Sequence, residues 1–203
     1  MHLSNTYTWR PTGGLYFSST GTNDTIDNHV YYASNRAFRM DFTNLSSLLG
    51  KDKKTLAISS AILKVYIEVA NSATLTMGYS YKTAFADRKA LLAQKTGIVM
   101  KSSTGWMNID LTDVIRAYVR DGSSSTMRLW GYGTGGSTSN SRFRGVNPGS
   151  SYNSQRPYML LTYNESKVRI YADGEWKVAL PYLFTNGAWE PALIQMYSGN
   201  EWK

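Results

Sequence analysis

The sequence contains no cysteine, and only two of its 203 residues are histidine, His2 and His29. The absence of cysteine excludes disulfide bonds, thiolate catalysis, cysteine-ligated zinc and iron–sulfur clusters. A zinc site with two histidine ligands would need both histidines, and His2 lies in a terminal stretch that we expect to fray. A Ser-His-Asp catalytic site would depend on His29 alone.

Long apolar runs are also absent. No stretch approaches the roughly 18 apolar residues that a membrane-spanning helix needs, so we expect no membrane insertion. The first residues, Met1-His2-Leu3-Ser4-Asn5, lack the positive region and the apolar region of a signal peptide. We therefore expect synthesis and folding in a cytoplasm.

Charged residues make up only 18% of the chain, with a net charge of +8. A positive balance favours acidic partners such as nucleic acid, teichoic acid or anionic lipid. The charge is spread along the sequence, however, and its one tight cluster is Lys51, Lys53 and Lys54. We interpret this cluster as a solvated loop tip, and we expect no nucleic-acid partner.

Alternating apolar and polar residues predict an all-β protein. The clearest case is 61–69, where Ala61, Leu63, Val65 and Ile67 occupy every second position, as in a strand with one buried face. The same pattern predicts strands over 6–9, 15–17, 30–33, 38–42, 75–81, 97–101, 106–109, 127–132 and 158–163.

Two short stretches have helical spacing instead, 110–120 and, more weakly, 87–94. Asp110 or Thr112 can cap the start of the first. Many short strands with one or two short helices indicate a β-sandwich or jelly roll, which we assign to residues 1–164.

A glycine- and serine-rich stretch, 131–141, is predicted to be a long loop, which makes it a candidate binding loop as well as a mere connector. Aromatic rings and guanidinium groups around it would suit a glycan, and the guanidinium groups would suit an anionic cell-wall polymer. The candidate glycan-binding residues are Trp130, Tyr132, Arg142, Arg144 and Tyr152. An equally weighted alternative places Trp130 in the sandwich core.

Two segments are specific in their residue order, Gly105-Trp106-Met107-Asn108-Ile109-Asp110-Leu111-Thr112-Asp113 and Arg156-Pro157-Tyr158-Met159-Leu160-Leu161-Thr162-Tyr163. Their order along the chain resembles the DNRLRE-type jelly-roll domain, which is related to carbohydrate-binding modules of bacterial surface and secreted proteins. The resemblance covers about residues 1–164 and implies a jelly roll with a tendency to bind sugar. Where that family has an acidic segment before its last strand, this chain has Arg142 and Arg144.

The last 39 residues, 165–203, contain an internal repeat with units at 170–182, 183–195 and 196–203. An aromatic residue and a tryptophan recur with a period of 13, on either side of a two-residue turn signal such as Asp-Gly or Asn-Gly. We predict a β-hairpin in each unit, with partner-docking side chains Tyr171, Trp176, Phe184, Trp189, Tyr197 and Trp202.

Repeats of this Tyr-x-(Asp/Asn)-Gly-x-Trp kind resemble the C-terminal ends of bacteriophage tail, baseplate and related virion proteins. More loosely, they resemble the aromatic hairpins of choline-binding cell-wall repeats. The resemblance implies docking to other virion proteins or formation of a homo-oligomer.

No catalytic constellation is apparent in the sequence. Asp24 and Asp27 could bind Ca²⁺, but a local turn explains them better, and we expect neither a metal nor another cofactor. The sequence therefore predicts a non-enzymatic virion structural protein of a phage or phage-like particle. It would serve as an appendage or adhesion module that binds a surface glycan. The alternative is a purely structural capsid-decoration or tail-assembly protein without a glycan ligand.

Overall fold

The computed structural model describes residues 4–18, 23–32, 36–70, 73–121, 123–136, 141–165, 169–172, 175–178, 181–185, 188–191, 197–198 and 201–202. Within these residues, two antiparallel sheets enclose one apolar core, which confirms the predicted all-β sandwich. Short hairpins follow it, as the repeat predicted. None of the helices in this described part is long and apolar enough to span a membrane.

The strands of the two sheets are β1 (Asn5–Trp9), β2 (Gly13–Phe17), β3 (Asn23–Thr25), β4 (His29–Tyr31), β5 (Ala37–Phe42), β6 (Leu56–Val69), β7 (Ala73–Ser80), β8 (Ala93–Val99), β9 (Gly105–Asp110), β10 (Met127–Gly136), β11 (Arg142–Arg144) and β12 (Tyr158–Glu165). The tail contributes β13 (Arg169–Ala172), β14 (Glu175–Val178), β15 (Tyr182–Thr185), β16 (Ala188–Pro191), β17 (Tyr197–Ser198) and β18 (Glu201–Trp202). The helices are α1 (Leu45–Leu49), α2 (Thr112–Asp121) and the 3₁₀ helices Lys53–Thr55, Phe85–Lys89 and Ser150–Gln155.

The first sheet is organised around β6. Its strand order is β1-β12-β6-β11-β4, and β9 also pairs with β6. Lys64 faces both Tyr158 of β12 and Asn108 of β9, so those two strands lie on opposite edges of β6. The second sheet has the order β3-β2-β5-β10-β7-β8.

The core lies between the sheets, and alternate residues of the strands point into it. Leu63, Val65 and Ile67 of β6 point inward and are fully buried, as are Met40 of β5 and Leu129 of β10. The intervening residues of β6 are only partly buried, so that this strand has one face in the core and one toward solvent.

Helix α2 contacts strands of both sheets and ends in a network of polar groups. The buried Lys53 Nζ donates to the Tyr118 carbonyl over 2.8 Å and lies 3.2 Å from Asp121 Oδ1. The Tyr79 and Tyr81 hydroxyls donate to Asp121 Oδ2 over 2.8 and 2.6 Å. Lysine at a helix C-terminus also complements the helix dipole.

The carboxylate of Asp121 is stabilised in its charged form. Partial burial acts to raise the pKa of Asp121, but the hydroxyls of Tyr81 and Tyr79, the Ser123 amide and the Lys53 ammonium outweigh it and hold the pKa below its usual range. Burial lowers the pKa of Lys53, and Asp121 offsets part of that effect. The ion pair therefore depends on Asp121 as the counter-charge of a buried cation.

Several expectations were wrong in detail. Residues 87–94 do not form an α-helix, because a 3₁₀ helix ends at Lys89 and β8 begins at Ala93. The predicted loop 131–141 is a strand as far as Gly136, and residues 137–140 lie outside the described part. Asp24 belongs to β3 rather than to a loop turn.

Helix α1 was missed, although both its ends carry a sequence signal. Its start is capped by Asn44, whose Oδ1 accepts from the Ser46 amide over 2.8 Å. Gly50 ends it in the left-handed conformation at φ 63°, which glycine adopts without strain. An asparagine followed six residues later by glycine could therefore have predicted this helix.

We expect Asp121→Ala to lower the free energy of unfolding by about 3 kcal/mol, because it leaves the buried Lys53 without a counter-charge. Urea denaturation measures this loss. The control is Asp113→Ala on the same helix, whose carboxylate is 93% exposed in its pair with Arg116. It should cost about 1 kcal/mol or less, and equal losses for both variants would contradict the role of Asp121.

Candidate glycan-binding face

The outward-facing side of the first sheet brings together basic, acidic and aromatic side chains. Period-two alternation places Tyr66 and Glu68 of β6 on this side, opposite the core residues Val65 and Ile67. Pairing with β11 and, beyond it, β4 adds further polar side chains around Glu68. We describe this side in two parts, a guanidinium cluster and an aromatic row.

The guanidinium cluster consists of Arg142, Arg144, Glu68, His29 and Tyr31. Glu68 Oε2 accepts from Arg142 Nε over 2.9 Å, and its Oε1 lies 2.9 Å from Arg144 Nη1. His29 Nδ1 lies 2.7 Å from Glu68 Oε2. One carboxylate thus holds two guanidinium groups and an imidazole, because the register of β11 and β4 sets Arg142 opposite Tyr31 and Arg144 opposite His29.

These contacts keep Glu68 ionised. Partial burial acts to raise the pKa of Glu68, but Arg142, His29 and Arg144 outweigh it and hold the pKa below its usual range. The hydrogen bond to Glu68 in turn raises the pKa of Arg142. The cluster therefore keeps fixed charges of both signs at neutral pH, with the positive sign in excess.

Aromatic rings flank the guanidinium groups. The Arg144 guanidinium lies 3.7 Å from the Tyr152 ring centroid, and its Nε donates to Gln155 Oε1 over 3.1 Å. Arg36 lies 4.7 Å from the Tyr31 ring centroid. Such stacking fixes the planes of the guanidinium groups and leaves N–H donors at their edges.

The aromatic row consists of Tyr66, Trp106 and Tyr158, from the three adjacent strands β6, β9 and β12. The Tyr66 and Trp106 rings are 5.7 Å apart at 89°, and the Trp106 and Tyr158 rings are 5.8 Å apart at 68°. Arg10 lies 5.2 Å from the Tyr158 ring centroid. Trp106 is 41% exposed, so it offers an apolar ring surface to a ligand.

Of the predicted glycan-binding residues, Arg142, Arg144 and Tyr152 lie together on this face. Trp130 does not, because it is fully buried on the second sheet, where it stacks on Phe17 at 5.3 Å. Its Nε1 donates to the Lys82 carbonyl. Trp130 is therefore not available to a ligand in this structure. It is not in the sandwich core of the alternative either, because it is buried in a separate cluster with Phe17 and Ala37.

Tyr132 is partly buried beside Trp130 and lies apart from the guanidinium cluster. The segment that covers Trp130 runs from Tyr81 to Leu92. Its backbone carbonyls at Tyr81 and Thr83 accept from Arg128 and Arg39 over 2.8 and 3.0 Å. This segment is why an outward position on β10 became buried.

Sequence reasoning missed the aromatic row and Glu68. A usable signal was present, since Tyr66 and Glu68 occupy the polar positions of the alternating 61–69 stretch. Trp106 alternates with the inward Met107 and Ile109 in the same way. Aromatic residues at the outward positions of amphipathic strands could therefore have predicted this face.

The predicted docking residues occupy equivalent positions in the tail. The three hairpins pair Tyr171 with Trp176, Phe184 with Trp189, and Tyr197 with Trp202 directly across the strands. Tyr171, Leu183 and Phe184 are exposed. The predicted turn residues 173–174, 186–187 and 199–200 lie outside the described part of the chain.

In the part of the chain that the structure describes, no group of three or more acidic or histidine side chains is placed to hold a metal ion. Asp24 Oδ1 accepts from the Thr25 amide over 2.7 Å, a local backbone contact. The arrangement on the first sheet is suited to binding, since it combines apolar ring surfaces with fixed hydrogen-bond donors.

We expect Glu68→Gln to lower the free energy of unfolding by about 2 kcal/mol at pH 7, through loss of charged hydrogen bonds. Since the pKa of Glu68 is lower in the folded chain than in the unfolded one, its contribution is present above the unfolded pKa and is lost as the pH falls through the folded one. Denaturant titrations at pH 7 and pH 3 should therefore show the difference shrinking. A difference that is unchanged at pH 3 would contradict the ionic role.

The chain matches no protein-family model and no curated protein sequence.

Proposed function

We propose that the sandwich is a non-enzymatic glycan-binding module whose ligand lies on the outer face of the first sheet. The observation that carries this proposal is the aromatic row beside the guanidinium cluster, with Trp106 exposed between Tyr66 and Tyr158. Apolar ring faces with a few placed polar groups are what a binding site for an amphipathic ligand requires.

The chemistry of a sugar fits both parts of this face. The apolar C–H surface of a pyranose ring packs on an aromatic ring, and its hydroxyls need hydrogen-bond partners. Arg142, Arg144 and Gln155 supply donors and an amide beside the row. The guanidinium groups also favour a glycan with acidic substituents, such as an anionic cell-wall polymer, through charge-assisted hydrogen bonds.

We further propose that the module is an adhesion appendage of a bacteriophage or phage-like particle, made in the host cytoplasm and assembled with other virion proteins. The residue order of the tail repeat supports this role, together with its exposed Tyr171 and Phe184. A second candidate is a capsid-decoration or tail-assembly protein without a glycan ligand. It is favoured by the same exposed tail side chains, which would serve docking alone.

The glycan proposal is tested by co-sedimentation of the full chain with purified bacterial cell walls. We expect Trp106→Ala to weaken wall binding about tenfold, which corresponds to the loss of one stacking contact of about 1.4 kcal/mol. The matched control is Val99→Ala, which removes an exposed apolar side chain from β8 of the second sheet.

Equal weakening by Val99→Ala would assign binding to another surface. Absence of wall binding by the unmodified chain would reject the glycan role and favour the purely structural candidate. Release of soluble sugar from the walls during the assay would contradict the non-enzymatic assignment.

The particle assignment has its own test. We expect antibodies against the chain to label virus-like particles from the producing culture in immunogold electron microscopy, because an assembled subunit stays with the particle. Antibodies against an unrelated cytoplasmic protein of that culture are the control. Labelling confined to cell envelopes would reject the assignment and leave glycan binding untouched.

A further inference from the structure

We infer that the partner of the tail is the tail of another copy of this chain, so that the hairpins join several copies into a homo-oligomer. This inference rests on the proposed docking role of the tail and specifies the partner that the tail binds. It does not depend on whether the sandwich binds a glycan.

The strands of the tail hairpins are incompletely paired. Each of the pairs β13–β14, β15–β16 and β17–β18 forms a two-stranded sheet that pairs with no other described strand. An isolated two-stranded hairpin is marginally stable in water, and a third strand or an apolar surface is needed to complete it. The backbone groups along an open strand edge are a template for pairing with another chain.

The three units of the tail share one pattern of aromatic residues. In every hairpin an aromatic residue lies opposite a tryptophan, as in the pair of Phe184 with Trp189, and one further residue pair follows it at the end of the described strands. A second copy of the tail offers the same units with the same 13-residue period. Equivalent surfaces that recur in each copy are suited to symmetric association.

Charge is distributed unevenly between the sandwich and the tail. Residues 1–164 contain 18 Lys and Arg against 9 Asp and Glu, a formal charge of +9. Residues 165–203 contain 4 and 5, a charge of −1. Copies of the sandwich therefore repel one another, whereas the tails, with a charge of −1 each, can approach with only a small charge penalty. The lack of a positive excess also disfavours an acidic partner for the tail.

The exposed apolar side chains of the tail are consistent with the tail of another copy as its partner. Leu183 and Phe184 are adjacent residues of β15, and both are more than half exposed in the isolated chain. Because neighbouring strand residues face opposite sides, both faces of this hairpin present apolar surface. Strand β16 of this hairpin already contacts β6 of the sandwich, and Leu183 and Phe184 stay exposed with that contact in place. Contact with the tail of another copy would cover them.

The absence of cysteine allows a direct test in the full chain. Leu183→Cys places a single thiol in the tail, and Leu92→Cys places one on the sandwich at the same 59% exposure. We expect a bis-maleimide reagent to give a crosslinked dimer with Leu183→Cys and a several-fold loss of that product with Leu92→Cys. Equal crosslinking of both variants would overturn the inference.

Sedimentation velocity provides the second measurement. We expect the unmodified chain to sediment as an oligomer that dissociates on dilution. The triple variant Tyr171→Ser/Phe184→Ser/Tyr197→Ser should shift to the monomer while keeping the thermal unfolding of the sandwich. A monomer at every concentration of the unmodified chain, or an oligomer that survives in the folded triple variant, would overturn the inference. Neither experiment contains glycan, so a failure here is distinct from a failure of the wall-binding proposal.

Discussion

Side-chain alternation along β6 is the constraint on which the rest of the structure depends. This strand pairs with β9, β11 and β12, and its inward residues fill the centre of the core. Its outward residues Tyr66 and Glu68 belong to the aromatic row and the guanidinium cluster. A one-residue slip in register would exchange the two faces, so that the core and the candidate site would be lost together. Stability and binding are therefore set by the same pairing.

Glu68 allows two positive charges to lie side by side on the outer face of the first sheet. Arg142 and Arg144 occupy two outward positions of the short strand β11, where their guanidinium groups would repel each other without an anion between them. The carboxylate at Glu68 holds both at 2.9 Å. It neutralises one of the two guanidinium charges and leaves the cluster with a positive net charge. Such a cluster is ordered and still suits an acidic or hydroxyl-rich ligand. The cost of partly burying this carboxylate is offset by its several partners.

The sequence predicted those features that depend on the periodic spacing of apolar residues along one strand or helix. The alternation over 61–69 and the spacing of Val114, Ile115 and Tyr118 in α2 were sufficient for a strand and a helix, which the structure contains. Features that depend on distant partners could not be predicted. The burial of Trp130 comes from the segment that covers it, and the aromatic row exists only because β9 and β12 flank β6 on opposite edges.

The sandwich and the tail differ in how their folds are stabilised. The sandwich has a continuous core between two sheets, whereas each tail hairpin has too few strands to bury its own apolar residues. Strand β16 contacts β6 of the sandwich, but Tyr171, Leu183 and Phe184 remain exposed, which favours a further contact for the tail. If other tails make that contact, one oligomer carries several copies of the candidate glycan-binding face. Each face can then bind weakly, because linked sites raise the effective concentration for the next contact and strengthen adhesion without any new interaction.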